Sequence, residues 1–337
     1  MMQQVIHLKT KVTFFHRNLK AGYSINKVTQ TIISHFDNKV EFYIPHYRVT
    51  LGNLLSNLFF VYKHRDINGI NHVTGGIHYG ILALIGCKSV LTIHDTDLYD
   101  NTPSGVKRFL FCWFWFKLPL RFATRVICIS SQTKRNVERF TKRKDIITIY
   151  NALDLSLKEY PLRVFDEKTG WRILVIGTSY NKNVERTIKA VSGIDCTLII
   201  IGKLNPMQLE ILLNEHVRYI NKYDLSDEEI YQEYCKCDMV SFCSLYEGFG
   251  MPIIEANRVG RPVISSNIEP LVEVAANAAL LIDPYNIEAI RKGILRLMND
   301  EVLRNELVRN GKLNAKRFSV DKIANEYRQL YDSIISE

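Results

Sequence analysis

Short runs of apolar and β-branched residues recur along the first part of the chain, and the segments between them carry apolar residues at helical spacing. Such runs are typical of buried strands, whereas apolar residues three or four positions apart are typical of one helix face. Strands that alternate with helices predict a parallel sheet. The predicted strands are VTFFH (12–16), VEFYI (40–44), GINHV (69–73), SVLTIH (89–94), RVICIS (125–130) and IITIY (146–150).

The alternation lapses in a stretch interrupted by Pro161 and Gly170, and then it resumes. A restart of the same rhythm after a break predicts a second sheet of the same kind. The second series of predicted strands is RILVIG (172–177), CTLIIIG (196–202), VRYI (217–220), DMVSFC (238–243), PVISS (262–266) and ALLID (279–283).

These two series predict an α/β protein with two doubly wound, Rossmann-like domains, which its 337 residues and 47% apolar content can supply with separate cores. We expect a first domain at residues 1–155, a linker at 156–170 and a second domain at 171–318. Residues 319–337 are predicted to form a C-terminal helix that crosses back to the first domain.

The seven cysteines are scattered and mostly lie inside apolar runs, which favours buried thiols in a reducing compartment over a disulfide framework. The N-terminal segment has no apolar stretch long enough for a signal peptide. The most apolar run, residues 109–116, is far shorter than a membrane-spanning helix. We therefore expect a cytoplasmic protein.

Charge is divided unevenly along the chain. Residues 1–150 contain 21 lysines and arginines against eight acidic residues, a net charge of +13, and the remaining 23 against 27 give −4. This asymmetry indicates an anionic partner for the first domain, either nucleic acid or an anionic membrane surface. The first domain has no recognisable nucleic-acid motif, and its charges are spread over many elements, so we expect no nucleic acid among the partners.

Residues 244–267 combine a glycine-bearing turn after a strand with Pro252 at a position typical of the start of a helix. A helix that starts near Met251 presents its first amides at the carboxyl ends of the strands, where open α/β sheets bind ligands. Glu247 precedes this helix and Glu255 lies about one turn inside it. Both carboxylates can accept hydrogen bonds from sugar hydroxyls, although a capping Glu247 and a solvated Glu255 would fit the pattern as well.

The segment from Glu247 to Glu255 resembles the EX7E motif of family 4 glycosyltransferases, which are retaining enzymes with the GT-B fold of two Rossmann-like domains facing across a cleft. The resemblance extends over nearly the whole chain. Further segments similar to family signatures are LTIHD (91–95), ISSQTK (129–134), VIGT (175–178) with NKN (181–183) and ER (185–186), AN (256–257), GRPV (260–263), SN (266–267) and EVAANAALLIDP (273–284).

The resemblance implies a role for individual residues. Glu255 would hold the ribose hydroxyls of a nucleotide sugar, Glu247 would hold hydroxyls of the transferred sugar, and Lys182 would neutralise the diphosphate. His94 would face the transferred sugar from the first domain. The remaining donor-binding positions would be Gly177, Thr178, Gly248, Phe249, Gly250 and Met251.

Some positions depart from the family pattern. Thr178 stands where many relatives carry an arginine, so diphosphate neutralisation rests more heavily on Lys182. Gly22, Thr74, Gly75 and Ser131 are weaker candidates for contacts with the acceptor or the cleft, and a simple turn explains the glycine at position 75 equally well.

A metal site is not expected. His94-Asp95-Thr96-Asp97 contains an Asp-x-Asp pair, but it lies in the first domain, away from the predicted diphosphate site. A fixed lysine together with a helix N-terminus can stabilise a departing diphosphate, so we expect metal-independent chemistry without a cofactor.

Residues 106–125 combine basic side chains with two tryptophans and five phenylalanines. A helix that is apolar all round is usually buried. Aromatic rings flanked by Lys107, Arg108, Lys117 and Arg121 are also typical of a helix that rests on anionic lipid. The sequence leaves both interpretations open.

The resemblance thus implies a glycosyltransferase, of hexosyl or N-acetylhexosaminyl type, that uses a UDP- or GDP-sugar. Its acceptor would be a lipid-linked or oligosaccharide glycan in bacterial O-antigen, capsule or exopolysaccharide biosynthesis, on the inner face of the cell membrane. Another GT-B chemistry on a nucleotide sugar, by a phosphorylase or an epimerase, is the alternative. An NAD-dependent oxidoreductase is disfavoured because no G-x-G-x-x-G follows a predicted strand.

Overall fold

The protein forms two compact units: unit 1 comprises Met1–Ala152 and Ser319–Glu337, and unit 2 comprises Leu153–Phe318. The computed structural model describes residues 6–21, 24–100, 102–153, 157–162 and 170–337. Among those residues, no helix combines the length and the apolarity needed to cross a bilayer.

Each of the twelve predicted strand segments overlaps an observed strand. The strands are β1 Val12–His16, β2 Lys39–Tyr43, β3 Ile70–Val73, β4 Ser89–Ile93, β5 Arg125–Cys128, β6 Ile146–Thr148, β7 Trp171–Ile176, β8 Cys196–Ile201, β9 Arg218–Lys222, β10 Met239–Phe242, β11 Val263–Ser266 and β12 Leu280–Ile282. Described pairs of neighbouring strands are parallel, as the alternation of strands and helices predicts.

Helices connect the strands, and short 3-10 turns follow several of them. The α-helices are α1 Ser24–Ile33, α2 Leu51–His64, α3 Asp97–Asp100, α4 Val106–Phe111, α5 Leu118–Phe122, α6 Ser131–Glu138, α7 Val184–Ala190, α8 Pro206–Asn214, α9 Asp227–Lys236, α10 Met251–Val259, α11 Leu271–Ala275, α12 Ile287–Asn299, α13 Glu301–Ala315 and α14 Val320–Ser336. The 3-10 turns are Leu19–Ala21, His78–Leu84, Tyr180–Lys182 and Lys316–Phe318.

The sheet of unit 1 has the strand order β2-β1-β3-β4-β5-β6. Alternate side chains of a strand point to opposite faces. Phe14 of β1 therefore packs in one core cluster with Ile33 of α1 and Tyr331 of α14, whereas Phe15 packs in the other with Val61 of α2 and Leu120 of α5. Burial on both faces explains why these strands are continuous apolar runs in the sequence.

Helix α14 is part of unit 1 and packs against its sheet. Nδ1 of His72 lies 2.7 Å from the hydroxyl of Tyr331, and Nζ of Lys88 donates a hydrogen bond to the Ile335 carbonyl at 3.4 Å. Arg125 forms an ion pair with Glu337. The C-terminal segment that we expected to return to the first domain is thus bonded to residues of that domain.

Residues 112–117, between α4 and α5, form a π-helix in which three of the six residues are buried. Cys112, Trp115 and Phe116 point into unit 1. Four apolar side chains among residues 109–116 are 38 to 60% exposed: Phe109, Leu110, Trp113 and Phe114. Residues 109–116 therefore carry both buried and exposed apolar side chains.

The sheet of unit 2 has the strand order β12-β11-β10-β7-β8-β9. The strand that comes first in the sequence, β7, lies inside the sheet, with β8 and β9 on one side and β10, β11 and β12 on the other. The chain thus reverses its direction of progress between β7 and β10, which makes this boundary the topological switch point where open α/β sheets bind ligands.

Part of the predicted linker is held on unit 2. Nε of Arg258 donates to the Leu157 carbonyl at 3.0 Å, and a terminal nitrogen of Arg261 donates to the Pro161 carbonyl at 2.7 Å. The Tyr160 amide donates to the Val259 carbonyl. Residues 157–162 are therefore packed against the unit rather than spanning free space.

Candidate functional site

Two loops meet at the switch point of unit 2, one after β7 and one after β10. The Leu245 amide donates to the Asn181 carbonyl at 2.7 Å, and Nδ2 of Asn181 donates back to the Tyr246 carbonyl at 3.0 Å. Nδ2 of the buried Asn183 donates to the Cys243 and Pro284 carbonyls at 2.9 and 2.7 Å. These bonds fix the positions of the side chains that the two loops carry.

Lys182 and Glu247, which are 65 residues apart in the sequence, are brought together at this point. The Lys182 ammonium lies 2.5 Å from Oε1 of Glu247 and 5.0 Å from the ring centre of Phe242. Their side chains are 21 and 12% exposed, so water screens the pair only in part. The resulting site holds one fixed cation and one carboxylate within reach of a ligand.

Gly177, the first residue after β7, leaves room for the lysine. Its φ is +88°, and a Cβ at this position would lie 2.9 Å from Cγ of Lys182. The Lys182 side chain therefore lies close over the strand end. The hydroxyl of the next residue, Thr178, donates to the Lys203 carbonyl at 2.8 Å, which ties it to the loop after β8.

Helix α10 begins at Met251, which confirms the predicted start, and Gly250 is its N-cap. The first amides of a helix have no acceptor within it, so this end of α10 can bind an anion or a sugar oxygen. Phe249 is buried and packs edge-on against Phe318 at 5.6 Å. The ring of Phe249 therefore anchors the loop before α10, which also contains Gly248.

The carboxylate of Glu255 is oriented by a tyrosine. The hydroxyl of the buried Tyr234 donates to Oε2 of Glu255 at 2.6 Å. Burial, and then the charge of Glu255, raise the pKa of Tyr234, so its hydroxyl stays protonated and acts as the donor. One oxygen of Glu255 is thus fixed, which orients the other.

His94 in unit 1 follows β4. Its Nε2 donates to the Thr74 carbonyl at 2.9 Å, and burial lowers the pKa of His94 to about 4 against the opposing effect of this bond. The imidazole is therefore neutral near pH 7, with its hydrogen on Nε2 and an acceptor lone pair on Nδ1. Gly75 leaves space for the ring, because a Cβ there would lie 2.4 Å from Cδ2 of His94.

The other predicted contacts in unit 1 are less informative. Ser131 is the first residue of α6, whereas Ser130 caps the helix by accepting a hydrogen bond from the Thr133 amide. Gly22 lies outside the described residues. Across the described parts of both units, no group of three or more histidine, cysteine or acidic side chains is arranged to hold a metal ion.

Sequence reasoning assigned no role to Asn181, Asn183, Tyr234 or Arg17. Asn183 has a φ of +58°, a conformation in which asparagine is enriched, and it lies in a segment recognised only as part of a signature. Tyr234 lies on α9, whose contact with α10 depends on tertiary packing. A pattern along the chain does not show such contacts.

Two family models match the chain, one in each unit. The model described as Glycosyltransferase Family 4 matches residues 13–157, and the model described as Glycosyl transferases group 1 matches residues 163–314. The second match contains Lys182, Glu247 and Glu255.

Named relatives share part of this length. Over 103 residues, 31% of this chain and 26% of the relative, the chain is 37% identical to the O-antigen chain mannosyltransferase B of Escherichia coli. Over 241 residues, 65% of this chain and 63% of the relative, it is 24% identical to the N,N'-diacetylbacillosaminyl-diphospho-undecaprenol alpha-1,3-N-acetylgalactosaminyltransferase of Campylobacter jejuni. The chain thus spans less than two thirds of each of these relatives.

A solved structure shares the fold. The Anabaena protein HepE, crystallised with UDP and glucose, superposes with a TM-score of 0.76 over 96% of this chain and all of its own, at 16% identity. That identity supports a conclusion on the fold alone. With one glycosyltransferase model matched in each unit and a fold of two Rossmann-like units, the chain belongs to the family 4 glycosyltransferases and has the GT-B fold.

Proposed function

We propose that this glycosyltransferase moves a sugar from a UDP- or GDP-sugar to a lipid-linked glycan with retention of the anomeric configuration, in bacterial surface polysaccharide biosynthesis. The observation that carries the proposal is the Lys182–Glu247 pair at the switch point of unit 2, beside the start of α10. A cation and helix amides suit a diphosphate, and a carboxylate suits sugar hydroxyls.

In the proposed reaction, the bond between the anomeric carbon and the diphosphate oxygen breaks while a bond to the acceptor hydroxyl oxygen forms on the same face. The acceptor's proton passes to the departing phosphate oxygen. Lys182 and the first amides of α10 stabilise the negative charge that grows on the diphosphate, so no metal ion is required. His94, being neutral, accepts a hydrogen bond from a hydroxyl of the transferred sugar at Nδ1.

The names of the relatives support the choice of substrates. The Escherichia coli relative is an O-antigen chain mannosyltransferase, and the name of the Campylobacter jejuni relative specifies a diphospho-undecaprenol acceptor. The Anabaena protein binds UDP and glucose. The Campylobacter jejuni name thus supports a lipid-linked acceptor, and the Anabaena complex supports a nucleoside diphosphate sugar donor.

We also propose that unit 1 attaches reversibly to anionic membranes, which would place it beside a lipid-linked acceptor. The basic aromatic surface, defined as residues 106–122, exposes Phe109, Leu110, Trp113 and Phe114 next to Lys107, Arg108, Lys117 and Arg121. Lys117 lies 4.9 Å from the ring centre of Trp113, so charge and aromatic area are adjacent. Such a surface suits the boundary between headgroups and acyl chains.

Transfer is tested by incubating the protein with UDP-glucose, UDP-N-acetylglucosamine or GDP-mannose and a membrane extract, with EDTA present throughout. We expect one donor to give a lipid-extractable product whose new linkage has the donor's anomeric configuration. An inverted product would contradict the proposed retention, and activity that requires added Mg²⁺ or Mn²⁺ would contradict the metal-free mechanism.

Attachment is tested by co-sedimentation with anionic and neutral vesicles at low and high salt. We expect pelleting with anionic vesicles that salt reduces, since each basic side chain near the surface contributes about 1 kcal/mol. A variant with Lys107, Arg108, Lys117 and Arg121 changed to glutamine should no longer pellet with anionic vesicles. The control Lys142→Gln, on the loop before β6, should pellet as the wild type does. Equal pelleting of both variants would contradict the assignment of this surface.

A further inference from the structure

Unit 1 contains a cavity of about 280 Å³ at the carboxyl ends of β1 to β4. A smaller recess of about 80 Å³ shares Ile25, Gly76, Asp95, Leu98 and Trp115 with it and reaches His94. The two spaces therefore have a common wall beside the histidine that we place at the reacting sugar. Cavities at this edge of an open α/β sheet are typical ligand sites.

Arg17, the first residue after β1, lines the cavity without a hydrogen bond or a close ion pair to a described residue, although the charge of Asp95 in the same lining acts on it. Its Nε is buried with no hydrogen bond, and no described carboxylate lies within ion-pair distance of its guanidinium. The side chain is held over Gly76, whose Cβ position would lie 3.3 Å from Cδ of Arg17. Burial lowers the pKa of Arg17. A partly buried guanidinium whose donors are unmet can gain free energy by binding an anion.

The loop after β2 adds a second arginine. Arg48 lines the same cavity and donates from Nε to the Tyr47 hydroxyl at 3.1 Å. The loop is held by the buried Asn57, which exchanges hydrogen bonds with the backbone of His46 at 3.1 and 2.9 Å. Asp95 is the acidic residue in the lining, so two guanidinium groups face one carboxylate and the wall has net positive charge.

The rest of the lining is largely apolar. Ile25, Leu54, Leu98 and Trp115 contribute to the wall. Helix α2, which supplies Leu54, also carries an exposed apolar stripe at four-residue spacing: Leu51 is 75% exposed, Leu55 58% and Phe59 67%. A site with cations at one end and apolar surface along its side fits a ligand that is itself a charged head on a hydrocarbon.

We propose that the cavity around Arg17 and Arg48 binds the phosphate or diphosphate head of a hydrocarbon-linked acceptor, with the hydrocarbon lying along the apolar side chains of α2. The inference rests on the proposed function in one respect, that the acceptor is lipid-linked. It adds that the protein recognises the acceptor through its phosphate, and it names the residues that do so. Arg17 contributes paired donors, which match a phosphate better than a single ammonium does.

The test measures binding of farnesyl diphosphate, inorganic pyrophosphate and farnesol to the full chain by calorimetry, with UDP and GDP titrated in parallel. We expect farnesyl diphosphate to bind at least about tenfold more tightly than either of the other two probes. Arg17→Gln should weaken farnesyl diphosphate binding at least about tenfold, and Arg17→Lys should recover it only in part. Arg48→Gln, at an exposed position where misfolding is not expected, should weaken it less.

Lys142→Gln is the matched control, because it removes one positive charge from unit 1 at the opposite edge of the sheet. It should leave farnesyl diphosphate binding unchanged. Nucleotide binding should be the same in all of these variants.

Three outcomes would overturn the inference. Unchanged farnesyl diphosphate affinity in both Arg17→Gln and Arg48→Gln would remove the arginines from the site. Equal binding of pyrophosphate and farnesyl diphosphate would leave an anion site without a hydrocarbon. Weaker UDP or GDP binding in Arg17→Gln would assign Arg17 to the nucleotide sugar. A protein that binds a nucleotide but not farnesyl diphosphate contradicts this inference alone, whereas failure to bind any nucleotide counts against the proposed function itself.

Discussion

In unit 2, the side chain of Lys182 lies over Gly177 and reaches Glu247, whereas in unit 1 the ring of His94 lies against Gly75 and donates to a backbone carbonyl. Both units leave space with a glycine just beyond a strand. The lysine is a charged, flexible chain paired with a carboxylate, and a ligand can replace or share that partner. The histidine is a rigid, neutral ring that the backbone fixes.

This difference favours different roles for Lys182 and His94 in the proposed reaction. In unit 2 a lysine and a carboxylate form an ion pair, and in the proposed reaction this lysine stabilises the charge on the diphosphate. Unit 1 offers a neutral acceptor in a fixed orientation, which suits the recognition of a hydroxyl. Changes in pH, in charge, in packing space and in a single hydroxyl group should therefore affect the two units differently.

Acid should destabilise unit 1 more than unit 2. Burial lowers the pKa of His72 to about 3 and of His78 and His94 to about 4, from an ordinary value of 6.5. The unfolded chain therefore binds more protons below pH 6.5, and stability is lost as the pH falls from there toward 4. Three such groups give a slope of up to about 4 kcal/mol per pH unit near pH 5.

Hydrogen exchange followed separately in the two units measures this slope. The one histidine in the sequence of unit 2, His216, is exposed. His72→Gln should reduce the slope of unit 1, and the control His216→Gln should leave it unchanged. Equal acid sensitivity of the two units would contradict the account of the buried histidines.

Removing the paired cation should have the largest effect on the reaction. Lys182→Met should reduce kcat about 100-fold to 1,000-fold, or about 3 to 4 kcal/mol, because the departing diphosphate loses a fixed positive charge. Lys189→Met, at an exposed position of the next helix, is the control. A kcat within threefold of the wild type in Lys182→Met would show that the charge acts elsewhere.

Filling the two glycine positions should show how rigidly each side chain is held. Gly75→Ala places a methyl group 2.4 Å from the His94 ring and should reduce the free energy of unfolding by about 3 kcal/mol, including backbone strain. Gly177→Ala should cost about 2 kcal/mol, because the Lys182 chain can move aside. Gly86→Ala and Gly193→Ala, which have positive φ but open space, should each cost about 1 kcal/mol. Denaturant titration measures all four, and equal losses would contradict the difference in rigidity.

The strands were predictable from the sequence because strands buried on both faces are continuous apolar runs, and the start of α10 was predictable from Pro252. The contact between Lys182 and Glu247 could not be predicted, because it depends on β7 and β10 being neighbours in the sheet. The spacing of apolar residues does not reveal the order of strands in a sheet. No local sequence pattern marks Arg17 or Tyr234 as a site residue. The interpretation of Phe109 to Phe116 as a fully buried helix is wrong, because some of its rings are buried and others are exposed, whereas contact with anionic lipid stays a prediction.

A single hydroxyl group should have the smallest effect. Tyr234→Phe removes the donor that orients Glu255, so nucleotide affinity should fall by about fivefold, equivalent to about 1 kcal/mol. Tyr231→Phe changes a hydroxyl on the same helix that contacts Lys158 instead and should leave the affinity unchanged. Loss of affinity in both variants would indicate a general effect of α9.

The central claim is that unit 2 binds the nucleotide sugar at the switch point of its sheet, and calorimetric titration of the full chain with UDP and GDP in EDTA tests it most directly. We predict that one nucleotide binds at a ratio of one to one and that Glu255→Ala weakens it about tenfold or more, through loss of a charge-assisted contact worth about 1.5 to 3 kcal/mol. The control Glu288→Ala removes an exposed carboxylate of the same unit and should change nothing. Affinity that is unchanged in Glu255→Ala, or binding that appears only when a divalent cation is added, would contradict the account.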